Sequence, residues 1–240
     1  MKSLGDRIKR YEAVSNGLLT RKMPVAIRVD GKAFHSFTKG FKRPFSMSLM
    51  EAMDLAAQKA ARQMQGFKIG YVQSDEATFI ITDYDDINTE GWFGYEHSKI
   101  VSLSSAYMTA YFNMQIADSA FTYNEEEALG DKVAVFDARA FNIPKEEVSN
   151  LLLWRAQDNE RNSLQSYARS MYSHKELDKK NAADIHEMLH QKGKNWTTDL
   201  SGRERNGCFF RKEGRSMIEG NTVKPKYQDI AAIVDPLVNF

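Results

Sequence analysis

The chain is 240 residues long, enough to bury roughly 70 to 75 % of its unfolded surface around one core, so it needs none of the staples that small scaffolds require. Hydrophobic residues make up 42 % and charged residues 27 %, which excludes a disordered chain. The single cysteine, Cys208, excludes an internal disulfide, and no apolar run approaches the ~18 residues of a membrane span, so a cytoplasmic protein without membrane attachment is expected.

Leu4, Ile8 and Tyr11 fall at helical spacing and predict a short amphipathic helix ending near Gly17. Residues 23–29, Met-Pro-Val-Ala-Ile-Arg-Val, read as a strand stopped by Asp30-Gly31. After a loop rich in Lys, Gly and Phe, Ser48 and Glu51 stand at capping-box spacing, and Met50, Met53, Ala57, Ala60 and Met64 continue a helix as far as Gly66. Strands over 67–73 and 77–82 flank Ser74-Asp75-Glu76, which places these acids at a hairpin tip. A helix over 97–114 carries Ile100, Leu103, Tyr107, Ala110 and Met114 on one face, and 133–141 reads as a further strand. Strand, helix, strand, strand, helix, strand is the βαββαβ plan of ferredoxin-like sheets, so the predicted class is α+β. Residues 1–145 form this core. Residues 146–240, helical over 145–173 and 180–191 and then irregular with a strand at 207–211, are read as an addition packed on it in a single unit.

Lysine and arginine number 33 against 32 acids, a net charge of +1, but the signs are segregated. Residues 1–45 hold eleven bases and three acids, whereas 75–131 hold twelve acids and one base, Lys99. In a βαββαβ sheet the strand ending at Asp30 lies beside the hairpin carrying Asp75 and Glu76, so three acids are expected to converge. Crowded carboxylates are costly unless a cation neutralises them, and hard oxygen donors with few protein contacts select Mg²⁺ shared with substrate phosphates. Two such ions about 4 Å apart would serve an in-line phosphoryl displacement, as in a polymerase palm. The following loop, Gly31-Lys32-Ala33-Phe34-His35, offers consecutive backbone N–H groups to a triphosphate, with Lys32, His35, Lys42 and Arg43 as counter-charges.

These residues resemble a known family. Arg28-Val29-Asp30-Gly31 with Phe34-His35 and Phe37, residues 41–44, Gln73-Ser74-Asp75-Glu76 with Phe79, Ser98-Lys99, and Trp154-Arg155 with Asp158 look like the signature blocks of the tRNA-histidine guanylyltransferase superfamily, in order from residue 28 to about 160. The resemblance implies a polymerase-palm fold that adds nucleotides in the 3′ to 5′ direction at a tRNA 5′ end. A 5′-monophosphate is first adenylylated with ATP, or activated with GTP, and the 3′-hydroxyl of the incoming nucleotide then attacks that phosphate. It implies that Asp30 and Asp75 hold two Mg²⁺ ions with help from the Gly31 carbonyl, that Glu76 supports or joins them, and that 31–35 binds a triphosphate. Ser74 and Lys99 match positions contacting nucleotide or 5′ phosphate, and the family resemblance implies a homotetramer.

The sequence also departs from the family pattern. Members acting on histidine tRNA carry His-Ile-Asn-Asn-Leu-Tyr-Asn after the Trp-Arg block; here 160–166 reads Glu-Arg-Asn-Ser-Leu-Gln-Ser, keeping only Asn162 and Leu164. Arg43 stands where many members have Lys, a change of donor geometry at constant charge. The chain therefore resembles the guanylyltransferase-like branch, which repairs 5′-truncated tRNA by templated addition; anticodon-dependent guanylation of histidine tRNA is the alternative. Residues 157–163 put a fully polar stretch within a helix, and if it lines a groove, Arg155, Asn162 and Arg169 are the candidate RNA contacts.

Remoter readings remain. His186-Glu187-Met188-Leu189-His190 spells the H-E-x-x-H of zinc proteases, but no histidine follows to complete the ligand set. A palm-type nucleotide cyclase would share the acid after strand one, yet diguanylate cyclases want Gly-Gly where Gln73-Ser74 stands. A non-catalytic RNA-binding module would interleave aromatics on the sheet face, whereas Phe34 and Phe37 are expected in a loop.

Overall fold

Runs of Val, Ile and Phe build a six-stranded antiparallel sheet in the computed structural model, which describes residues 4–13, 17–213 and 216–238. Its strands are β1 (Val25–Gly31), β2 (Phe67–Gln73), β3 (Glu76–Ile81), β4 (Phe136–Asn142), β5 (Cys208–Glu213) and β6 (Ser216–Asn221), in the order β4-β1-β3-β2-β5-β6. The first four strands with their helices are the expected βαββαβ core, with β1 and β3 central; the β5–β6 hairpin extends the sheet beyond β2. Helix α1 (Leu4–Ala13) precedes the sheet. Helices α2 (Phe34–Phe37) and α3 (Met47–Ala61) join β1 to β2, and α4 (His97–Tyr123) and α5 (Glu126–Leu129) join β3 to β4. Between β4 and β5 come α6 (Val148–Arg169), α7 (His174–Leu177), α8 (Ala182–Gln191), α9 (Trp196–Asp199) and α10 (Gly202–Asn206), and α11 (Tyr227–Val238) follows β6.

Strand periodicity assigns the two faces. Val25, Ile27 and Val29 of β1 join Ala77, Phe79 and Ile81 of β3 under α3 and α4, whose Ala52, Met53, Ala56 and Phe112 complete the main core. The opposite face, Ala26, Ile69, Tyr71 and Ile80, packs against Val148, Leu152 and Ala156 of α6 and Ile230 and Val234 of α11. Toward the end of β1 this second face turns polar with Arg28 and Asp30. A third cluster, Leu164, Tyr167, Ile185, Leu189 and Trp196, holds α8 and α9 to the far half of α6.

Local chemistry sets the ends of these elements. Ser46, not Ser48, caps α3 by accepting from the Leu49 amide at 3.2 Å; Ser48 donates its hydroxyl to Glu125 instead. Helix α4 outruns the expected 97–114 because Ile116 and Ala120 extend its buried stripe, and Asn124 at φ 55 ends it in the left-handed region. Residues 14–16, through which the first helix was expected to run, lie outside the described residues. Strand β6 and helix α11 occupy sequence that reads as irregular, although Ile230, Val234 and Val238 recur every four residues and are buried. Among the described residues, no helix is long and apolar enough to cross a membrane.

Candidate active site

Antiparallel pairing sets Asp30, near the end of β1, opposite Glu76 at the start of β3. The Gly31 amide donates to the Asp75 carbonyl at 3.1 Å, which clips the β2–β3 turn to the end of β1. Ser74 bends the turn at φ 45 and donates its hydroxyl to the Asp75 carboxylate at 3.0 Å. Asp30 and Asp75 are thereby brought together at one end of the sheet. Burial, followed by repulsion from Glu76 and Asp137, holds Asp30 above the usual carboxylate range. Burial also raises Asp75, against the Ser74 hydrogen bond and with added repulsion from Asp30 and Glu76. Two hard oxygen donors that resist ionising together are a donor set that suits a divalent cation shared with phosphate oxygens.

Glu76 is different. Its carboxylate accepts from Arg28 Nη2 at 2.6 Å and from Arg155 Nε at 2.7 Å, and Gln73 Nε2 approaches at 3.4 Å. The three acids converge as expected, with Glu76 beside Asp30 and Asp75, but two guanidinium groups already neutralise Glu76. Among the described residues, no three His, Cys, Asp or Glu side chains form a metal cage. Arg155 is corrected, since it is buried and bridges Glu76 and Asp158 rather than facing an RNA groove.

Beside the acid pair opens a cavity of about 310 Å³ lined by Asp75, Ser74, His35, Arg43, Met50, Met53 and Arg169, among others. Apolar Phe41, Phe45 and Leu49 share its wall, so one pocket offers both a greasy surface for a planar base and cations for phosphates. The 31–35 loop forms its edge. Ala33 sits at φ 52 and starts the single turn of α2, while the Lys32 amide donates to Val135 at 2.8 Å. Phe34, expected in the triphosphate loop, contributes backbone and one wall; its ring is buried against Phe37, Phe112 and Phe136. That burial also explains Gly31, because a Cβ there would meet the Phe34 ring at 2.2 Å.

No local pattern in the sequence marks Glu125. It accepts from the Lys42 amide and from Ser46 Oγ, both at 2.7 Å, and from Ser48 Oγ, pinning the loop that carries Arg43. Burial pushes its carboxyl up, and the hydrogen bonds from Ser48, Lys42 and Ser46 outweigh that, leaving it below the ordinary range. Lys42 Nζ turns to the Tyr123 carbonyl at 2.7 Å. Glu125 is separated from Ser46 and Ser48 by nearly 80 positions, and only the packing of α4 on α3 brings them together.

The remaining candidates divide. Arg169 reaches the cavity wall, and exposed Asn162 donates to Asp158 at 3.4 Å. Lys99 is not brought to the acids within one chain. It pairs with Glu96 at 2.8 Å on the first turn of α4, where His97 contacts the Ala140 carbonyl; α4 reaches Phe136, the register partner of Gly31, only at Ser105. The H-E-x-x-H histidines are not gathered with a third ligand either: His186 packs edge-on to Trp196, and Glu187 accepts from Gln191.

Comparison with known proteins narrows the assignment. The family model described as tRNAHis guanylyltransferase matches residues 5–144. A solved bacterial tRNA(His) guanylyltransferase (Thg1)-like protein in complex with ATP is 35% identical, with a TM-score of 0.89 over 99% of this chain and 100% of that one. A second such structure, in complex with GTP, is 31% identical with a TM-score of 0.81, over 99% of this chain and 100% of that one. An uncharacterized protein of Acanthamoeba polyphaga mimivirus is 30% identical over 70% of this chain and 63% of its own length. The tRNA(His) guanylyltransferase of Schizosaccharomyces pombe is 28% identical over 68% and 59% respectively, so the chain spans about three-fifths of these curated relatives. With the palm topology and the matched model covering more than half of its residues, this chain belongs to the tRNA(His) guanylyltransferase family.

Proposed function

We propose that the chain is a nucleotidyltransferase that adds nucleotides in the 3′ to 5′ direction to the 5′ end of truncated tRNA, directed by the opposite strand. The observation that carries this reading is the closeness of Asp30 to Asp75, which lines the cavity that also holds Arg43 and Arg169. ATP and GTP in the related bacterial structures support a nucleoside triphosphate as its occupant.

In this proposal Met50, Met53 and Phe45 hold the base, His35 and Arg43 receive the phosphates, and the loop amides near Ala33 orient the triphosphate. Asp30, Asp75 and the Gly31 carbonyl would hold Mg²⁺, which supplies charge neutralisation for the attacking and leaving oxygens. Glu76, fixed by Arg28 and Arg155, keeps the end of β1 and the β2–β3 turn in register. The 160–166 sequence favours templated repair over anticodon-dependent guanylation, because only Asn162 and Leu164 of the histidine-tRNA motif remain. A cytoplasmic homotetramer belongs to the same proposal, and light scattering in solution measures its assembly state.

The test supplies a 5′-monophosphorylated tRNA lacking its first nucleotide, with ATP, Mg²⁺ and each labelled nucleotide in turn. Extension only by the base complementary to the opposite strand is expected. Addition of G regardless of the opposite base would favour the histidine-tRNA reading, and no addition of any nucleotide would refute both.

A further inference from the structure

Trp154 is the exposed tryptophan of this protein: 49% of its surface faces solvent, against 4% for Trp92 and 7% for Trp196. It stands on α6 over the polar end of the sheet, with the guanidinium carbon of Arg155 4.3 Å and that of Arg28 5.3 Å from its ring centroid. Arg28 precedes Asp30 by two residues on β1, so the two share a sheet face, and the indole stands on the same face as Asp30, over Arg28. Neither arginine depends on the ring for a partner, because Arg28 binds Glu76 and Arg155 binds both Glu76 and Asp158. A large aromatic ring thus remains half uncovered on a charged surface, oriented by two fixed cations.

We propose that Trp154 is a stacking platform for a nucleobase at the end of the RNA substrate. The ring is not part of the cavity that suits the nucleoside triphosphate, which leaves the second reactant, the RNA, as the source of the base. The helix supports the same choice. Asp158, Arg161, Asn162, Gln165 and Arg169 follow Trp154 at intervals of 4, 7, 8, 11 and 15 residues, forming one polar stripe about 22 Å long. Arg169, at its far end, lines the nucleotide cavity. A strand laid along this stripe would stack its terminal base on Trp154 and run its phosphates past Arg161 and Arg169. Arg beneath the indole strengthens such a stack by presenting a cation to the ring on one side while the base takes the other.

This inference deepens the proposed RNA reaction and is read without chemistry. Tryptophan emission of the full-length protein is titrated with a 5′-phosphorylated tRNA lacking its first nucleotide, in the absence of nucleotide triphosphate, for wild type and Trp154→Leu. Quenching of the exposed emission is expected in wild type and its loss in Trp154→Leu. A tRNA abasic at its 5′-terminal and opposing positions should bind with much weaker quenching. In the addition assay, Trp154→Leu should raise the KM for RNA roughly 5- to 100-fold with little change in kcat or in the KM for nucleotide, and Trp154→Tyr should restore most of the affinity. RNA binding that leaves wild-type emission unchanged would overturn the proposal, as would a Trp154→Leu enzyme with normal KM for RNA. If Trp154 only shields the Arg–Glu cluster from water, Trp154→Leu would lower the melting temperature with no RNA-dependent change in emission. Wild-type protein that shows quenching but adds no nucleotide would refute the reaction and leave the stacking site standing.

Discussion

Two sets of carboxylates lie close to the candidate active site and are treated oppositely by the fold. Glu76 receives two guanidinium groups, and Glu125 receives two serine hydroxyls and a backbone amide. Asp30, on β1, and Asp75, in the adjoining β2–β3 turn, are by contrast both raised by burial and by repulsion from neighbouring acids. Acids serving the architecture are neutralised or hydrogen-bonded enough to favour their charged form, whereas the two proposed to hold a cation keep raised values, at a cost to the free protein when both ionise.

Removing one charge from each set should break this contrast in opposite directions. The largest expected effect is on activity: Asp30→Asn or Asp75→Asn should lower nucleotide addition on the order of 10³-fold, while the metal-free melting temperature stays level or rises. Retained activity in either variant would contradict the assignment. Glu76→Ala leaves partly buried Arg28 and buried Arg155 without their shared anion, so urea unfolding should show a loss of about 3 kcal/mol; an unchanged midpoint would mean that the clamp is not structural. Arg43→Ala should raise the KM for nucleotide roughly tenfold at unchanged melting temperature, because its side chain has no partner to lose among the described residues.

The smallest effect is the pH dependence, and its sign separates the two sets. Asp30 and Asp75 have raised folded values, so ionising them costs more in the native state. Metal-free stability should therefore fall as pH climbs above 3.8 toward those values, and the slope should flatten in Asp30→Asn and Asp75→Asn. Glu125 has a lowered folded value, so its contribution is fully present above 4.5 and disappears as pH drops through the folded value; Glu125→Gln should remove that acid-side loss. Urea midpoints measured across both windows read the two slopes, and parallel slopes for wild type and both kinds of variant would contradict the contrast.

The same division decided what the sequence disclosed. Asp30, Asp75 and Glu76 were legible because strand ends and a tight hairpin are local features, and the βαββαβ order then predicts which strands are neighbours. Strand β2 matches its expected 67–73 bounds for the same reason. Partnership was not legible. Which acid is neutralised depends on Arg155 arriving from α6, and Glu125 acquires its role only when α4 packs on α3. Ser46 and Ser48 look equivalent as caps until Glu125 takes the second hydroxyl. Phe34 sits amid loop residues in sequence, and its burial depends on Phe112 and Phe136 from distant elements. Helix α11 carried a readable four-residue apolar period, whereas β6 gains its strand character from pairing with β5.

The most direct test of the metal assignment is the melting temperature of wild type and of Asp30→Asn with ATP, each measured in Mg²⁺ and in excess chelator. Mg²⁺ should raise the wild-type value on the order of 5 °C near saturation and leave Asp30→Asn unmoved. An equal Mg²⁺-dependent rise in both proteins would show that the cation is held elsewhere.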